Sequence, residues 1–496
     1  MRPVKPLILT IGLGVLFLPG RFAGQDRLVV QNNRTKSATV NFIRFRSPMI
    51  ALEHVRVIDG TGAPVMLDQT ILISDGKIAA MGKAGAIRIP GCAQRLDFTG
   101  YSVIPGLVGM HDHLFYSLNY FGSHGVRAYD MPFSFPRLYL AAGVTTIRTT
   151  GSFEPYTDLE IKRTIEARTM IGPKMNVTGP YLEGAPFPLI QIHKLTGPED
   201  ARRTVDYWAD EGAESFKVYA DITRAELEAA ISAAHKRGLT VTGHLCSIGF
   251  REAAEMGIDG LEHGLWVDTE FAANKQPDMC PDPGNATAAD LEVKSEPIQE
   301  TIRTLVDHHV AITSTLPVWE EFIPGPQAPE RVLRALSTGA RKAYLAERAR
   351  LTRESEDPHG SSFVKIRRYT AMFRKEMEFE RAFVQAGGLL MAGPDGVLGS
   401  DIAGFGDQRE LELLVQSGFT PLEAIKIATW NGAQFLKKSD GIGSLEAGKQ
   451  ADIVLVRGDP STNIRDIEHV DLVFKDGVAY DSKKLIDSVT GQVGIR

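Results

Sequence analysis

The segment His111-Asp112-His113 carries two imidazoles at the end of a short apolar run, residues 102–110. The length and composition of this run predict a buried strand. Side chains alternate along a strand, so His111 and His113 point to one side and Asp112 to the other. Two imidazoles on one face can chelate a metal ion, although similar pairs also occur as surface or core histidines. The pair therefore predicts a metal site only if the chain supplies further ligands.

Other titratable residues also stand at the ends of predicted strands. They are Lys217, His244, His263 and Asp395. Lys217 lies inside the apolar run 215–220, where a lysine is costly unless it is neutralised, paired or modified. Barrels of parallel strands place their catalytic residues at the C-terminal ends of the strands. The positions therefore predict one shared site at that end of a β/α barrel.

Strand-like and amphipathic helical runs alternate through the middle of the chain. We expect barrel strands near residues 103–113, 143–150, 173–179, 214–220, 239–245, 258–263, 309–316 and 388–394. The runs 198–211 and 224–237 are typical of the helices between such strands. The fold class predicted is α/β, with a TIM-like (β/α)8 barrel.

Both ends of the chain carry further strand signals. We expect residues 48–105 and 437–496 to form one small β-sandwich domain together, and residues 106–436 to form the barrel. Two long connections, 265–300 and 317–386, follow the sixth and seventh strands. Long loops at the catalytic end serve as lids or specificity walls, although plain surface insertions fit equally well.

The order of these residues resembles the amidohydrolase superfamily of metal-dependent hydrolases. The resemblance rests on Pro105-Gly106-Leu107 before the histidine pair, on the later ligands in the family's order, and on the flanking segments 59–62 and 443–454. It covers roughly residues 48–485. The run 143–148 and the lysine-histidine-histidine-aspartate set are most similar to the branch of prolidase-like and imidazolonepropionase-like proteins.

The resemblance implies a centre of two metal ions. Its ligands would be His111, His113, Lys217, His244, His263 and Asp395. Such ligands suit Zn²⁺ by default, with manganese, iron or cobalt as alternatives. The first histidine pair and Asp395 would hold the more buried ion, and the two later histidines the second. Lys217, carboxylated on Nζ, would bridge them; a Lys217 paired with a carboxylate would instead leave a mononuclear site.

The resemblance also implies a metal-activated hydroxide, because a bound cation lowers the pKa of water to about 7. Asp395 would carry the proton to the leaving amine, although Pro394 stands where the family commonly has threonine. Tyr219 faces the same side as Lys217 and could donate to an oxyanion, with core packing as the alternative. Arg148 could clamp a substrate carboxylate, with a structural ion pair as the alternative.

Several other polar residues lie near the predicted ligands. Asp112 and Glu262 should face away from the site and support the ligands beside them. His193 and His124 lie in loops after predicted strands, where either contact with substrate or simple solvation is expected.

We expect a hydrolase of a C–N bond in a small amide or peptide-like substrate, first a prolidase-like dipeptidase or carboxypeptidase. A mononuclear cyclic amidase of the imidazolonepropionase type comes second, and an ester or lactone hydrolase would use the same apparatus. A non-catalytic barrel scaffold is the alternative of another class, and the complete ligand set argues against it. The formal net charge of −6 argues against a nucleic-acid partner, and we expect a homo-oligomer.

The N-terminal residues predict targeting. Arg2 and Lys5 precede the apolar stretch 7–18, which favours a signal peptide over residues 1–25, or an uncleaved membrane anchor, followed by a linker over 26–47. A secreted, periplasmic or cell-envelope location would follow.

The cysteines predict little. Cys92, Cys246 and Cys280 are too few and too scattered to indicate a disulfide framework or a cysteine zinc site. We interpret Cys246 as a small core residue.

Overall fold

The computed structural model describes residues 39–45, 47–118, 127–185, 191–281 and 290–494. The predicted signal segment 1–25, most of the predicted linker 26–47, and His124 lie outside the described residues. Within the described residues, no helix combines the length and the apolar character that crossing a membrane requires.

Eight parallel strands form the barrel, in sequence order around it. They are Leu107–Asp112, Val144–Thr149, Lys174–Leu182, Ser215–Val218, Thr240–Gly243, Gly260–Glu262, Ala311–Ser314 and Leu390–Ala392. The backbone N–H of Asp395 donates to the carbonyl of His111 at 2.9 Å, which joins the last strand to the first. The predicted α/β barrel is confirmed.

Helices alternate with these strands and pack around the barrel. The α-helices are Ser134–Ala141, Pro155–Glu166, Pro198–Glu211, Arg224–Lys236, Phe250–Glu255, Glu296–Asp307, Leu316–Glu320, Glu330–Leu333, Thr338–Ser355, Phe363–Gln385, Phe405–Gln416, Pro421–Lys426, Gly432–Phe435 and Ser482–Asp487. Short 3-10 turns lie at Gly264–Trp266 and Ile464–Glu468, and a π-helical turn lies at Ile427–Asn431. The long connection after the seventh strand is therefore largely helical.

The two chain ends build a second, mainly antiparallel sheet of nine strands. These are Ile43–Phe45, Met49–Val57, Met66–Ser74, Lys77–Lys83, Gln94–Asp97, Tyr101–Pro105, Ile453–Arg457, Val470–Lys475 and Val478–Asp481. Side chains from both ends, among them Leu52, Ile71 and Phe474, meet in one buried cluster. The predicted pairing of the two chain ends is thus confirmed, and it takes the form of one sheet. Two small hairpins add Phe115–Leu118 with Arg127–Asp130, and Val397–Leu398 with Asp401–Ile402.

The predicted first barrel strand, 103–113, is wrong in its first part. The chain passes from one sheet to the other at Gly106. The N–H of Gly106 donates to the carbonyl of Asp452, just before a strand of the terminal sheet, whereas the N–H of Leu107 donates to the carbonyl of Gly143, just before the second barrel strand. A β-carbon at residue 106 would lie 2.0 Å from Oγ1 of Thr145, so only glycine fits this crossing.

Two further expectations are corrected. The segment expected to be a linker contains the strand Ile43–Phe45. This strand pairs with Val478–Asp481, and Phe45 packs against the apolar cluster of the terminal sheet. Cys246 is not a simple core residue, since it forms a disulfide with Cys280, with 4.8 Å between the α-carbons. The bond connects residues 34 positions apart, and Cys92 is exposed and free.

Candidate metal centre

The predicted ligands converge at the C-terminal end of the barrel. His111 and Lys217 lie in the first and fourth strands. The other ligands follow strands: His113, His244 and His263 come directly after the first, fifth and sixth strands, and Asp395 stands three residues beyond the eighth. His111, His113, Lys217 and His263 are each at most 2% exposed. Parallel strands bring their ends to one edge, and this is the edge where barrel enzymes carry their catalytic groups.

Three of these side chains form the most compact group. His111, His263 and Asp395 can each offer a ligand atom, and these atoms all lie within 4.8 Å of one another. Oδ1 of Asp395 lies 3.0 Å from Nε2 of His113 and 3.5 Å from Nε2 of His111. The compact group combines members of both ligand sets that the sequence predicts.

The remaining two members border this group. Nζ of Lys217 lies 3.1 Å from Nε2 of His111. The rings of His244 and His263 are 4.6 Å apart, centroid to centroid. All six predicted ligands therefore belong to one cluster.

Hydrogen bonds on the outer nitrogens orient three of the histidines. Nδ1 of His111 lies 2.9 Å from Oε2 of Glu262, and Nδ1 of His113 lies 3.2 Å from the carbonyl of Gly151. Nδ1 of His263 lies 2.8 Å from Oγ1 of Thr315. Such contacts fix the ring and leave the other nitrogen, Nε2, for a metal ion.

The backbone is held in an unusual conformation at two of the ligands. His263 has φ 69° and Asp395 has φ 58°, both in the left-handed region. That region costs a residue other than glycine of order 1–3 kcal/mol, and it clusters at functional sites. The fold therefore holds these two side chains in the site at a cost in stability.

Burial sets the charge states of the cluster. Desolvation, with the charge of Lys217 beside it, lowers the pKa of His111 to about 4 and that of His244 to about 3. Desolvation also lowers the pKa of Lys217 to about 8. Burial alone would raise the pKa of Asp395, but His111 and His113 hold it below its ordinary value. The site thus offers neutral imidazoles and an ionised carboxylate, the forms that bind cations.

Arg148 is not a substrate clamp. Its side chain is fully buried beneath the ligands, and Nη1 donates to Oε1 of Glu262 at 3.2 Å and to the carbonyl of Met110 at 3.0 Å. Its other terminal nitrogen also contacts Thr242. The residue points into the barrel because Glu262, itself buried, requires a counter-charge. Arg148 and Glu262 form the structural ion pair that was the alternative.

The remaining candidate residues differ in their contacts with the cluster. The ring of Tyr219 lies 4.7 Å from that of His244, at the edge of the cluster. Glu262 supports His111 from behind, and Asp112 is fully buried. His193 is half exposed and contacts Asp200 at 3.0 Å, beside a cavity of about 320 Å³ that Tyr181 also lines.

Aromatic side chains that were not predicted from the sequence border the cluster. The ring of Trp319 lies 5.4 Å from that of His263 and stacks on Trp266 at 4.4 Å. The ring of Phe115 lies 4.6 Å from that of His113. Their positions just after strand ends were a signal that could have identified them.

Comparisons with known proteins give one partial family match and several relatives of low identity. The model of the Amidohydrolase family matches residues 359–479. An uncharacterised protein of Mycobacterium bovis is 25% identical over 452 residues, which are 88% of this chain and 98% of that protein. An imidazolonepropionase of Stenotrophomonas maltophilia is 31% identical over 104 residues, which are 21% of this chain and 25% of that enzyme.

Solved structures share the fold. A Xaa-Pro dipeptidase crystallised with methionine in its active site is similar with a TM-score of 0.65 and 20% identity, over 87% of this chain and 100% of that one. The family match covers the last part of the barrel and the strands that follow it, and the dipeptidase shares the whole fold. The chain is therefore similar to proteins of the amidohydrolase superfamily in fold and, over residues 359–479, in sequence.

Proposed function

We propose that the protein hydrolyses the C–N bond of a peptide-like amide, as a dipeptidase or carboxypeptidase. The observation that carries the proposal is the compact group of His111, His263 and Asp395 at the catalytic end of the barrel. The family match supports a hydrolase of C–N bonds, and the dipeptidase of the same fold supports the substrate class.

We propose Zn²⁺ as the metal, in two ions bridged by a carboxylated Lys217, with manganese, iron or cobalt as substitutes. A bound cation polarises a carbonyl group and makes water acidic enough to attack it at neutral pH. Burial of Lys217 supports its modification, because the low pKa favours the neutral amine that adds to carbon dioxide with loss of a proton. The donor set fits such a cation, since its imidazoles are neutral and its carboxylate is ionised.

Two side chains would handle protons and charge in the reaction. Asp395 is ionised, so its carboxylate can take a proton from water and pass it to the leaving amine. Tyr219 lies beside His244 and can donate its hydroxyl to the carbonyl oxygen of the substrate as negative charge develops there.

The aromatic border supports a preference for apolar groups next to the scissile bond. Trp319 and Trp266 stack beside His263, and Phe115 lies beside His113 in an apolar cluster that Trp319 also contacts. A substrate bound at the ligands would lie near these rings. A substrate with a bulky apolar side chain would bury more apolar surface against these rings than a glycine-containing substrate, and would therefore bind more tightly.

An assay of dipeptides and N-acyl amino acids, with side chains from glycine to phenylalanine, tests the proposal. The protein should be loaded with zinc in the presence of bicarbonate. We expect hydrolysis that favours apolar side chains and is abolished in D395N, and a weaker preference in W319A. A correctly folded, metal-loaded protein that hydrolyses none of these amides would overturn the proposed function.

A mononuclear cyclic amidase is the second candidate. Lys217 lies within hydrogen-bonding distance of His111 in its unmodified form, and three ligands already make a compact group. The partial match to an imidazolonepropionase also favours it. One metal equivalent with hydrolysis of a cyclic amide, but of no dipeptide, would select this candidate.

We also propose that the protein works in an oxidising compartment, outside the cytoplasm. The disulfide between Cys246 and Cys280 supports this, because such bonds persist mainly in secreted and envelope proteins. Cell fractionation tests it, and recovery of the protein in the cytosol with both thiols reduced would refute it. The homo-oligomer and the membrane anchor stay predictions.

A further inference from the structure

The turn that follows His263 is a strained part of the site. His263 has φ 69° and Gly264 has φ 62°, so two successive residues are left-handed before the 3-10 turn Gly264–Trp266 begins. A histidine does not adopt this conformation without support from its surroundings. The contacts around this turn must therefore supply that support.

One side of the turn is anchored to the seventh barrel strand and the residue that follows it. The N–H of His263 donates to the carbonyl of Thr313 at 3.1 Å, and its Nδ1 lies 2.8 Å from Oγ1 of Thr315. These contacts fix the start of the turn and the ring. They do not reach the backbone N–H groups of Leu265 and Trp266.

Glu376 satisfies those groups from the other side. It lies on the helix Phe363–Gln385, in the long connection after the seventh strand, and is 1% exposed. Its Oε2 accepts a hydrogen bond from the N–H of Trp266 at 2.8 Å, and the N–H of Leu265 also donates to its carboxyl group. The side chain thus caps the 3-10 turn that carries on from the metal ligand.

The fit between Glu376 and the turn depends on Gly264. A β-carbon at residue 264 would lie 1.9 Å from Oε1 of Glu376. Any other residue at this position would push the carboxyl group away from the turn. The absence of a side chain at residue 264 is therefore what allows the carboxyl group of Glu376 to approach the turn.

We propose that Glu376 is a positioning residue that holds His263 in its ligating conformation. It acts through the backbone of the 264–266 turn and does not contact the ligand cluster itself. The proposal rests on the proposed function in one respect, namely that His263 binds a metal ion. The helix Phe363–Gln385 would thus support the conformation of a metal ligand through Glu376.

The test compares three variants. E376M removes both acceptors at nearly constant volume, and E376Q keeps an oxygen that can accept. E380M is the matched control, because Glu380 lies one turn further along the same helix, is equally buried, and faces Ser314 and Glu376. The readouts are amide hydrogen exchange of Leu265 and Trp266 in the metal-free protein, and the dissociation constant for Zn²⁺.

We expect E376M to lose exchange protection at both amides and to bind Zn²⁺ about 10- to 100-fold more weakly. E376Q and E380M should keep protection and affinity close to those of the wild type. Unchanged protection at both amides in E376M would overturn the proposal, and so would an equal loss of affinity in E380M. Failure of the wild-type protein to bind Zn²⁺ would count against the proposed function, while hydrogen exchange would still decide whether Glu376 caps the turn.

Discussion

Glu262 lies with Oε2 2.9 Å from Nδ1 of His111, and both side chains are fully buried. The other carboxylate oxygen accepts from Arg148. Burial would raise the pKa of Glu262, but the charge of Arg148, with His111, holds it well below its ordinary value. A carboxylate that orients a proposed metal ligand is therefore kept ionised by a buried arginine.

Removal of that arginine should destabilise the whole fold. R148M leaves the charge of Glu262 buried without its partner, and we expect a loss of about 3–5 kcal/mol in the free energy of unfolding. Urea unfolding measures this. R95M is the control, because Arg95 pairs with Glu53 at the surface and exposed pairs contribute little. An R148M protein as stable as R95M would contradict this interpretation.

The stability of the metal-free protein should depend on pH through His244. Its pKa is about 3 in the folded state and near 6.5 when unfolded, so between these values the unfolded chain binds a proton that the native state does not. The contribution of this neutral histidine is complete above pH 6.5 and is lost as the pH falls. At pH 5 the loss is about 2 kcal/mol.

Buried carboxyl groups change the stability with pH in the opposite direction. Burial raises the pKa of Glu183 to about 8, so this group favours the folded state more at low pH than at high pH. The measurement is therefore the difference in unfolding free energy between the wild type and H244Q, at pH 8 and at pH 5. We expect this difference to shrink by about 2 kcal/mol at the lower pH. A constant difference would show that His244 is not held neutral by burial.

Tyr219 should matter for turnover more than for binding. If its hydroxyl donates to the developing oxyanion, Y219F lowers kcat about 100-fold and changes KM little. Y181F is the control, because the Tyr181 ring packs against Tyr219 at 5.1 Å. Steady-state kinetics on the best substrate measure kcat and KM for both variants. An equal loss of kcat in Y219F and Y181F would indicate that Tyr219 has only a packing role.

The disulfide should stabilise the protein. Cys246 and Cys280 are separated by 34 positions, and closing a loop of this size contributes about 2–4 kcal/mol. C280S should therefore lower the unfolding free energy and remove the effect of added reductant, whereas C92S should do neither. Identical melting curves for the wild type with and without reductant would contradict this prediction.

The sequence allowed the barrel and the ligand candidates to be predicted because both follow from local patterns. Each strand is a short apolar run, and each ligand stands inside such a run or shortly after it, so no distant contact had to be known. The break at Gly106 was missed because one apolar run spans two strands that belong to different sheets.

Contacts between distant residues could not be predicted in the same way. Arg148 and Glu262 are 114 positions apart, and only the closed barrel shows that they meet. The partner of Glu376 is likewise a turn 110 positions away. Local sequence identifies which groups can do chemistry, and the tertiary structure decides which of them face the site.

Metal analysis of the purified protein tests the central claim most directly. Elemental analysis after loading with zinc and bicarbonate should give two equivalents per chain, and one in K217A, with amide hydrolysis that disappears on chelation and returns with zinc. Two equivalents retained in K217A would refute the bridging lysine. Less than half an equivalent in the wild type, with no hydrolysis, would contradict the metal-dependent hydrolase itself.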